Sequence, residues 1–299
     1  MYPRQAPDSP AAALPHTLGQ LSQLTSLSLG FGEAHVTTAQ VDAMVQALPS
    51  LQHLTLLSKP MLRPALDAGF PINVAVSCVQ LMSLSISGVQ FGALPVELER
   101  MTRLTRLALG QSSVASLPVS ISRLTALESF SIYSHTAAPA TQICHLTALR
   151  RLEVSGPIVA SLPVGIISRL TALLHLEVDT FSPTFYPSLD AEHWERAYSS
   201  CIWSLASLTR LDIPDTRSLL GISQLSALRE LKLGYGWTPD LPPGMTACQQ
   251  LSWLSMGSYQ RSPVLASLQT LQYLRVSAYG GAQEVLWTQL TALTKLDLH

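Results

Sequence analysis

Aliphatic residues recur along this chain in a six-residue phrase, apolar-x-x-apolar-x-apolar, which occurs twelve times. The phrase begins at Leu24, Leu51, Leu81, Leu104, Leu127, Leu149, Leu173, Leu208, Leu228, Leu251, Leu271 and Leu293, with steps of 20 to 35 residues. The fourth and sixth residues of each phrase share one side of a strand, because strand side chains alternate with period two. The pattern therefore predicts twelve short strands that bury leucine on one side.

One repeat of this length cannot bury its own leucines, so neighbouring repeats must stack on one another. Stacking aligns the strands in parallel, while Ile121, Leu124 and their counterparts fill the core from the turns that follow. We therefore expect an α/β fold, a curved solenoid of about twelve repeats. A parallel sheet should form its concave face, with short helices, 3-10 turns and loops on the convex face.

The central repeats are close copies of one another. SLPVSISRLTALESFSI (Ser116 to Ile132) nearly matches SLPVGIISRLTALLHLEV (Ser161 to Val178). The shared phrase Leu-Pro-x-x-Ile-x-x-Leu-Thr-x-Leu resembles leucine-rich repeats of the plant intracellular Ras-group-related and Scribble-like kinds. This resemblance covers roughly Leu14 to Leu298 and implies a scaffold or recognition role in signalling, immune sensing or cytoskeletal assembly.

The repeat pattern also predicts the domain organisation. Residues 1–13 form a disordered lead-in, and residues 14–299 form the repeat domain. Its last strand phrase ends at Leu298 without a polar capping segment, which terminal repeats normally need. Either the natural protein continues with further repeats or domains beyond the C-terminus, or the chain is a truncated product, or another molecule covers this end; we favour continuation or truncation.

Two excursions, at about residues 57–77 and 180–200, lengthen individual repeats. Pro60, Pro64 and Pro71 predict a loop in the first. The second predicts a short helix with Trp194 and Tyr198, which is either a binding excursion or a lengthened repeat whose aromatics cover the core. Upstream of both, Val41, Met44, Val45 and Leu48 are spaced as in a helix, and Thr37 with Gln40 matches a capping box.

Composition limits the possible compartments and partners. Hydrophobic residues make up 47% of the chain, charged residues 12%, and the formal net charge is −1. This balance excludes disorder from polarity and gives no support for nucleic acid or an anionic membrane as partner. No apolar run reaches the length of a membrane helix, and four widely spaced cysteines favour a reducing interior. We expect a cytoplasmic protein, and the Leu-Thr-Ala-Leu phrasing resembles repeats of algal proteins of the cytoskeleton, in the cilium axoneme.

Candidate binding residues come from positions three and five of each phrase, which face away from the core, and from one position that follows a phrase. They change from small hydroxylic residues near the N-terminus to charged and then aromatic residues. The candidates are Arg106, Arg151, Glu153, His175, Glu177, Asp179, Arg210, Asp212, Glu230, Lys232, Trp253, Tyr273 and Arg275. Either they form a recognition patch for a protein partner, or the charges merely neutralise one another on a solvated sheet.

Catalytic and metal chemistry are not expected. Glu153, Glu177 and Asp212 suggest a cation site or an acid and base pair, but flanking arginines should neutralise them. His193 lacks the second histidine of a His-Glu-x-x-His motif, and neither a Gly-x-Ser-x-Gly elbow nor a phosphate-binding loop occurs. We therefore predict no catalytic residue, no metal and no cofactor.

The remaining sequence-based alternatives concern the setting of the module. The chain is a protein-binding scaffold, or it is the sensor or targeting segment of a larger signalling enzyme or nucleotide-binding resistance protein. An extracellular receptor domain is disfavoured, since the sequence has no signal peptide, no Asn-x-Ser/Thr site and no paired cysteines.

Overall fold

The computed structural model describes residues 20–31, 38–58, 70–88, 94–112, 114, 117–134, 140–156, 159, 165, 167–179, 201–213, 219–234, 241–258, 263–278 and 289–298. The predicted lead-in at residues 1–13 and the second excursion at 180–200 lie outside these ranges, as does Thr37 of the predicted capping box. The fold is established by the repeats between them.

Twelve strands carry the repeat phrase. They are β1 (Ser26–Phe31), β2 (His53–Ser58), β3 (Ser83–Ser87), β4 (Arg106–Ser112), β5 (Ser129–Ser134), β6 (Arg151–Ser155), β7 (His175–Asp179), β8 (Arg210–Ile213), β9 (Glu230–Leu233), β10 (Trp253–Ser258), β11 (Tyr273–Ala278) and β12 (Lys295–Leu298). Every one begins at the third position of its phrase, and strand order follows the chain from β1 to β12. The predicted α/β class with a parallel sheet is confirmed.

The chain divides into two compact units. The first comprises residues 1–127 and 131–138, and the second comprises 128–130 and 139–299. In the first unit β1 to β4 pair in parallel with their chain neighbours. In the second unit β6 to β12 do the same, and equivalent phrase positions lie opposite one another.

A recurring hydrogen-bond pattern joins each repeat to the one before it. The carbonyl oxygen preceding a strand accepts the backbone N–H groups of two consecutive residues at the start of the next strand. In the second unit, for example, Leu174 and His175 both donate to the Arg150 carbonyl, at 2.8 and 2.9 Å. The same pattern connects β7 to β8, through the Leu174 carbonyl, and continues to β12. We call this arrangement the paired joint.

Short helices return the chain between strands. Helices α1 (Thr38–Gln46), α2 (Ile72–Ser77) and α3 (Pro263–Ala266) are described from end to end, and residues 201–203 are also α-helical. The 3-10 turns are Val96–Arg100, Val119–Arg123, Thr141–His145, Ile167–Arg169, Ile222–Gln224 and Pro243–Ala247. Helix α1 confirms the helix predicted from the spacing of Val41, Met44 and Val45, all of which are buried.

The loop predicted in the excursion at about residues 57–77 is wrong for its last six residues, and residues 59–69 lie outside the described ranges. Strand β2 extends to Ser58, and α2 occupies the last six residues of the range. Pro71 is the N-cap of α2, with φ −64°. A proline at the start of a helix sacrifices no intrahelical hydrogen bond, because the first N–H groups have no partner there. Pro71 therefore begins a helix rather than marking a loop.

The core is a column of aliphatic side chains that runs behind the strands. Leu211, Leu231, Leu254 and Leu274 of the second unit are each 0% exposed. None of the four cysteines forms a disulfide, and all are buried. Burial raises the pKa of Cys78 and Cys248 to about 11, so these thiols behave as small core residues. Within the described ranges, no helix combines the length and apolar character needed to cross a bilayer.

Candidate functional site

The candidate site lies on the open face of the second unit, by which we mean the side of β6 to β12 that carries phrase positions three and five. The parallel register aligns these positions across strands: His175 lies between Arg151 and Arg210, and Glu177 lies between Glu153 and Asp212. Because paired strands are about 4.8 Å apart, side chains on adjacent strands reach one another directly. The two predicted charge columns therefore do lie side by side.

Most of the charges on the open face are engaged with each other. The ion pairs are Arg151–Glu153 at 3.4 Å, Arg210–Glu230 at 3.1 Å, Lys232–Asp212 at 2.6 Å and Lys295–Asp297 at 3.5 Å. Such partly exposed pairs contribute little to stability individually. This geometry matches the interpretation in which neighbouring charges neutralise one another.

Two ionisable members of the face are buried, whereas the sequence pattern places them in solvent. His175 is 8% exposed and Asp212 is 6% exposed. The Arg151 guanidinium lies 3.0 Å from His175 Nδ1, and Lys232 reaches Asp212, so long neighbours cover these shorter side chains. Nothing in the phrase signals this burial, because it depends on how the neighbouring side chains turn.

Burial and charge shift two of these carboxyl groups in opposite directions. Desolvation raises the pKa of Asp212, despite the hydrogen bond from Lys232. The adjacent His175 ring lowers the pKa of Glu177, against its desolvation, and the positive charges of Lys232 and Arg210 add to that effect. Asp212 is therefore the member of the face that is costly to ionise.

The Lys232–Asp212 pair should respond asymmetrically to mutation. Lys232→Met should lower the free energy of unfolding by about 2 kcal/mol at pH 7, because the buried carboxylate loses its cation. Asp212→Asn should cost less than about 1 kcal/mol, since asparagine has no charge to desolvate and Lys232 is half exposed. Urea denaturation of both variants measures the difference.

The pH dependence checks the cause. The folded-state pKa of Asp212 lies above the ordinary value of 3.8, so ionisation costs stability as the pH rises through that folded pKa. The deficit of Lys232→Met should therefore be full at pH 7 and shrink on acidification. Equal deficits for the two variants at pH 7, or a Lys232→Met deficit that grows in acid, would contradict this account.

The far end of the open face is aromatic. Trp253 and Tyr273 stack with ring centroids 5.2 Å apart and planes within 5°. The Tyr273 hydroxyl donates to Asp297 Oδ2 at 2.6 Å, which raises the pKa of Tyr273, and Lys295 Nζ lies 5.0 Å from the ring centroid. These contacts fix both rings. Lys295 and Asp297 belong to the site although they were not among the candidates; their phrase positions, three and five, were the available signal.

Arg275 differs from the other cations of the open face. Among the residues that the structure describes, it has no ion-pair partner, and its buried Nε has no hydrogen-bond acceptor. It lies on β11 between Ser255 and Asp297 in the parallel register. The aromatic pair thus lies at the same end of the face as Arg275, whose guanidinium has no ion-pair partner among the described residues.

Two candidates lie apart from this arrangement. Arg106 is exposed on β4 of the first unit, opposite Ser83. Asp179 is exposed at the end of β7, opposite Ser155, and its carbonyl accepts the Gly156 N–H at 3.0 Å. The remaining candidates form the open face of the second unit.

Comparison with known proteins follows the repeat pattern. The family described as "leucine-rich repeat region" matches residues 72–292. No curated protein matches the sequence. An internalin from Listeria monocytogenes is 17% identical, with 94% of this chain and 84% of that chain covered and a TM-score of 0.61. A leucine-rich repeat protein from Leptospira interrogans is 18% identical, with coverage of 96% and 88% and a TM-score of 0.53.

A third similar structure is TLR13 in its complex with ssRNA13. It is 18% identical, with 94% of this chain and 44% of that chain covered, and the TM-score is 0.62. At such identities the likeness concerns the fold alone. The family match extends over most of the residues, and the strands, their register and the leucine core follow the same repeat. The chain belongs to the leucine-rich repeat family.

Proposed function

We propose that the chain is a non-catalytic protein-binding module whose open face in the second unit contacts a protein partner. The observation that carries this proposal is the stacked Trp253–Tyr273 pair beside Arg275. Tryptophan, tyrosine and arginine are the residue types most enriched in interface hot spots. A leucine-rich repeat fold commonly serves as an interaction module, and fold alone does not identify the partner.

The energetics favour the aromatic end as the anchor of this interface. The rings are already held by their stack and by Asp297 and Lys295, so a partner orders few side chains on binding them. A partner carboxylate would also meet the positive charge of Arg275, for which the described residues supply no ion-pair partner. By contrast, Arg210 and Lys232 are already paired and would contribute orientation more than affinity.

Replacing both rings of the aromatic end should greatly weaken binding of the partner. The double variant Trp253→Ala, Tyr273→Ala should lower affinity for a captured partner by at least about 30-fold, since hot-spot truncations cost about 2 kcal/mol or more. Partners are captured from native lysate on the purified chain, identified, and their affinities measured with purified protein. The matched control is His53→Ala, at phrase position three of β2 in the first unit.

The experiment distinguishes binding at the open face of the second unit from binding elsewhere on the chain. A partner bound equally by the parent, the control and a folded double variant would overturn the proposal. A partner lost by the double variant and by a further variant, Arg275→Ala, but kept by His53→Ala, would support it. Circular dichroism of each variant shows that the repeats remain folded.

The cellular location and wider role of the module are separate predictions. A cytoplasmic location is supported by four buried cysteines that form no disulfide, which suits a reducing compartment. An axonemal or other cytoskeletal role, a signalling role, the kinship with plant Ras-group-related and Scribble-like repeats, and membership of a larger signalling protein stay predictions. Sequencing the full transcript and imaging a tagged copy test them.

A further inference from the structure

A compact cluster of metal-ligand side chains lies on β6 and β7, away from the aromatic end of the open face. Glu153, His175 and Glu177 each present one ligand atom, and these three atoms lie within 4.8 Å of one another. The parallel register creates the cluster, because it sets Glu153 opposite Glu177 and His175 two residues before Glu177. One imidazole and two carboxylates form a donor set that suits zinc.

No group in the described part of the chain forms a hydrogen bond with the imidazole nitrogen that faces Glu177. His175 Nε2 is buried without an acceptor or donor, and the side chain is only 10% exposed. Its nearest charged neighbour, Glu177 Oε2, is 3.6 Å away. That separation is too long for a hydrogen bond but close to the roughly 3.4 Å between two ligands of a tetrahedral zinc ion with bonds near 2.1 Å.

The cations expected to neutralise this cluster are mostly engaged elsewhere. Arg210 pairs with Glu230 and Lys232 pairs with Asp212. Among the described residues, Arg151 is the cation that contacts the cluster, with Nε 3.4 Å from Glu153 and Nη2 3.0 Å from His175 Nδ1. Among the described residues, the two carboxylates of the cluster therefore have one contacting guanidinium, which reaches Glu153, and the Arg151 side chain is 49% exposed and able to turn into solvent.

We propose that Glu153, His175 Nε2 and Glu177 bind Zn²⁺, with water as the fourth ligand, and that the metal displaces the Arg151 guanidinium. Arginine only donates hydrogen bonds, so His175 Nδ1 accepts from Arg151 in the metal-free state and the ring proton is on Nε2. Zinc binding at Nε2 moves that proton to Nδ1. Arg151 then has no acceptor at the ring, so metal and guanidinium compete for the same place.

Zinc titration of the full chain tests the proposal. The purified, chelator-treated protein is titrated with ZnCl₂ by calorimetry, and with Co²⁺ while visible absorption is recorded as a signature of four-coordinate geometry. One site is expected. His175→Ala and Glu177→Gln should each weaken zinc binding by about 100-fold or more, since even outer-shell changes cost 10–100-fold.

Two further variants make the test specific. Arg151→Ala should tighten zinc binding, because it removes the competing cation, whereas a merely structural role for Arg151 predicts no gain. His53→Ala, a histidine at the same phrase position on β2, should bind zinc as the parent does. Glu153→Gln keeps the size of a partly exposed side chain, so it provides a folded ligand variant if His175→Ala does not fold.

The opposite results would overturn the proposal. They are no zinc binding by the parent chain at micromolar metal, affinity unchanged in His175→Ala and Glu153→Gln, or weakened binding in Arg151→Ala. Binding that His53→Ala removes would assign the metal to other histidines and would equally reject the cluster.

Discussion

Gly221→Ala should destabilise the second unit by about 3 kcal/mol, although it adds a single methyl group. A Cβ at Gly221 would overlap Cγ and Cδ1 of Trp203 and would lie 2.8 Å from its Cβ. The Trp203 ring is 7% exposed, so it has little room to move. Overfilling a packed core costs typically 1–3 kcal/mol, and a rigid indole places this site at the upper end of that range. Urea denaturation measures the loss.

The matched control is the same substitution in open space. A Cβ at Gly30 has no heavy atom within 4 Å, so Gly30→Ala should be neutral or slightly stabilising. The double variant Trp203→Ala, Gly221→Ala should lose less stability than the sum of the two single changes, because the overlap with the ring is gone. Additive losses, or a Gly221→Ala variant as stable as the parent, would exclude this steric explanation.

Leu211→Ala should cost the second unit about 3 kcal/mol through a cavity. Leu211 is 0% exposed and lies between Leu176 and Leu231 in the column of core leucines. Truncation of a buried leucine costs 2–5 kcal/mol, because the lost burial is compounded by space that the neighbours do not fill. The stacked repeats on either side are held by their own contacts and cannot close it.

The chain provides an internal control for this change. Leu220 is 84% exposed, so Leu220→Ala should leave the free energy of unfolding within about 0.5 kcal/mol of the parent. Chemical denaturation of both variants, fitted with a common m-value, compares their free energies of unfolding with that of the parent. If Leu211→Ala and Leu220→Ala had equal midpoints, the leucine column would not be the main source of stability.

The strands were predictable because one local rule determines them. A strand that buries every second residue needs the apolar phrase, and each of the twelve strands begins two residues after the phrase does. Register was predictable for the same reason, since equivalent positions must stack to close a common core. Helix α1 followed from its helical spacing of buried residues.

Helix α2 was missed because proline has two opposite meanings. It stops a helix from within, and it starts one at the first turn, where no N–H bond is lost. Pro60, Pro64 and Pro71, spread along the segment, suggested that no helix forms anywhere in it. The buried pair Val74 and Ala75, inside Ile72–Ser77, was the available signal for a helix.

The pairing of charges on the open face was not predictable from the phrase. Each long side chain has partners on its own strand and on both neighbouring strands, and small differences in rotamer decide among them. Arg210 crosses to Glu230, whereas Arg151 pairs along its own strand with Glu153. The burial of His175 and Asp212 follows from those choices. The sequence therefore identified the face and its charge columns, and the structure was needed to find which groups are engaged.

The paired joint has a consequence for how such a chain can change its length. Every joint in the second unit uses the same groups, a carbonyl before one strand and two consecutive N–H groups at the next. Duplication or loss of one whole repeat rebuilds an identical joint, whereas an insertion that shifts part of a phrase leaves one carbonyl or two amides unsatisfied. Gene duplication or deletion can thus add or remove complete repeats, and with them strands of the open face. The width of a binding surface can change in this way without disrupting the hydrogen bonds between repeats.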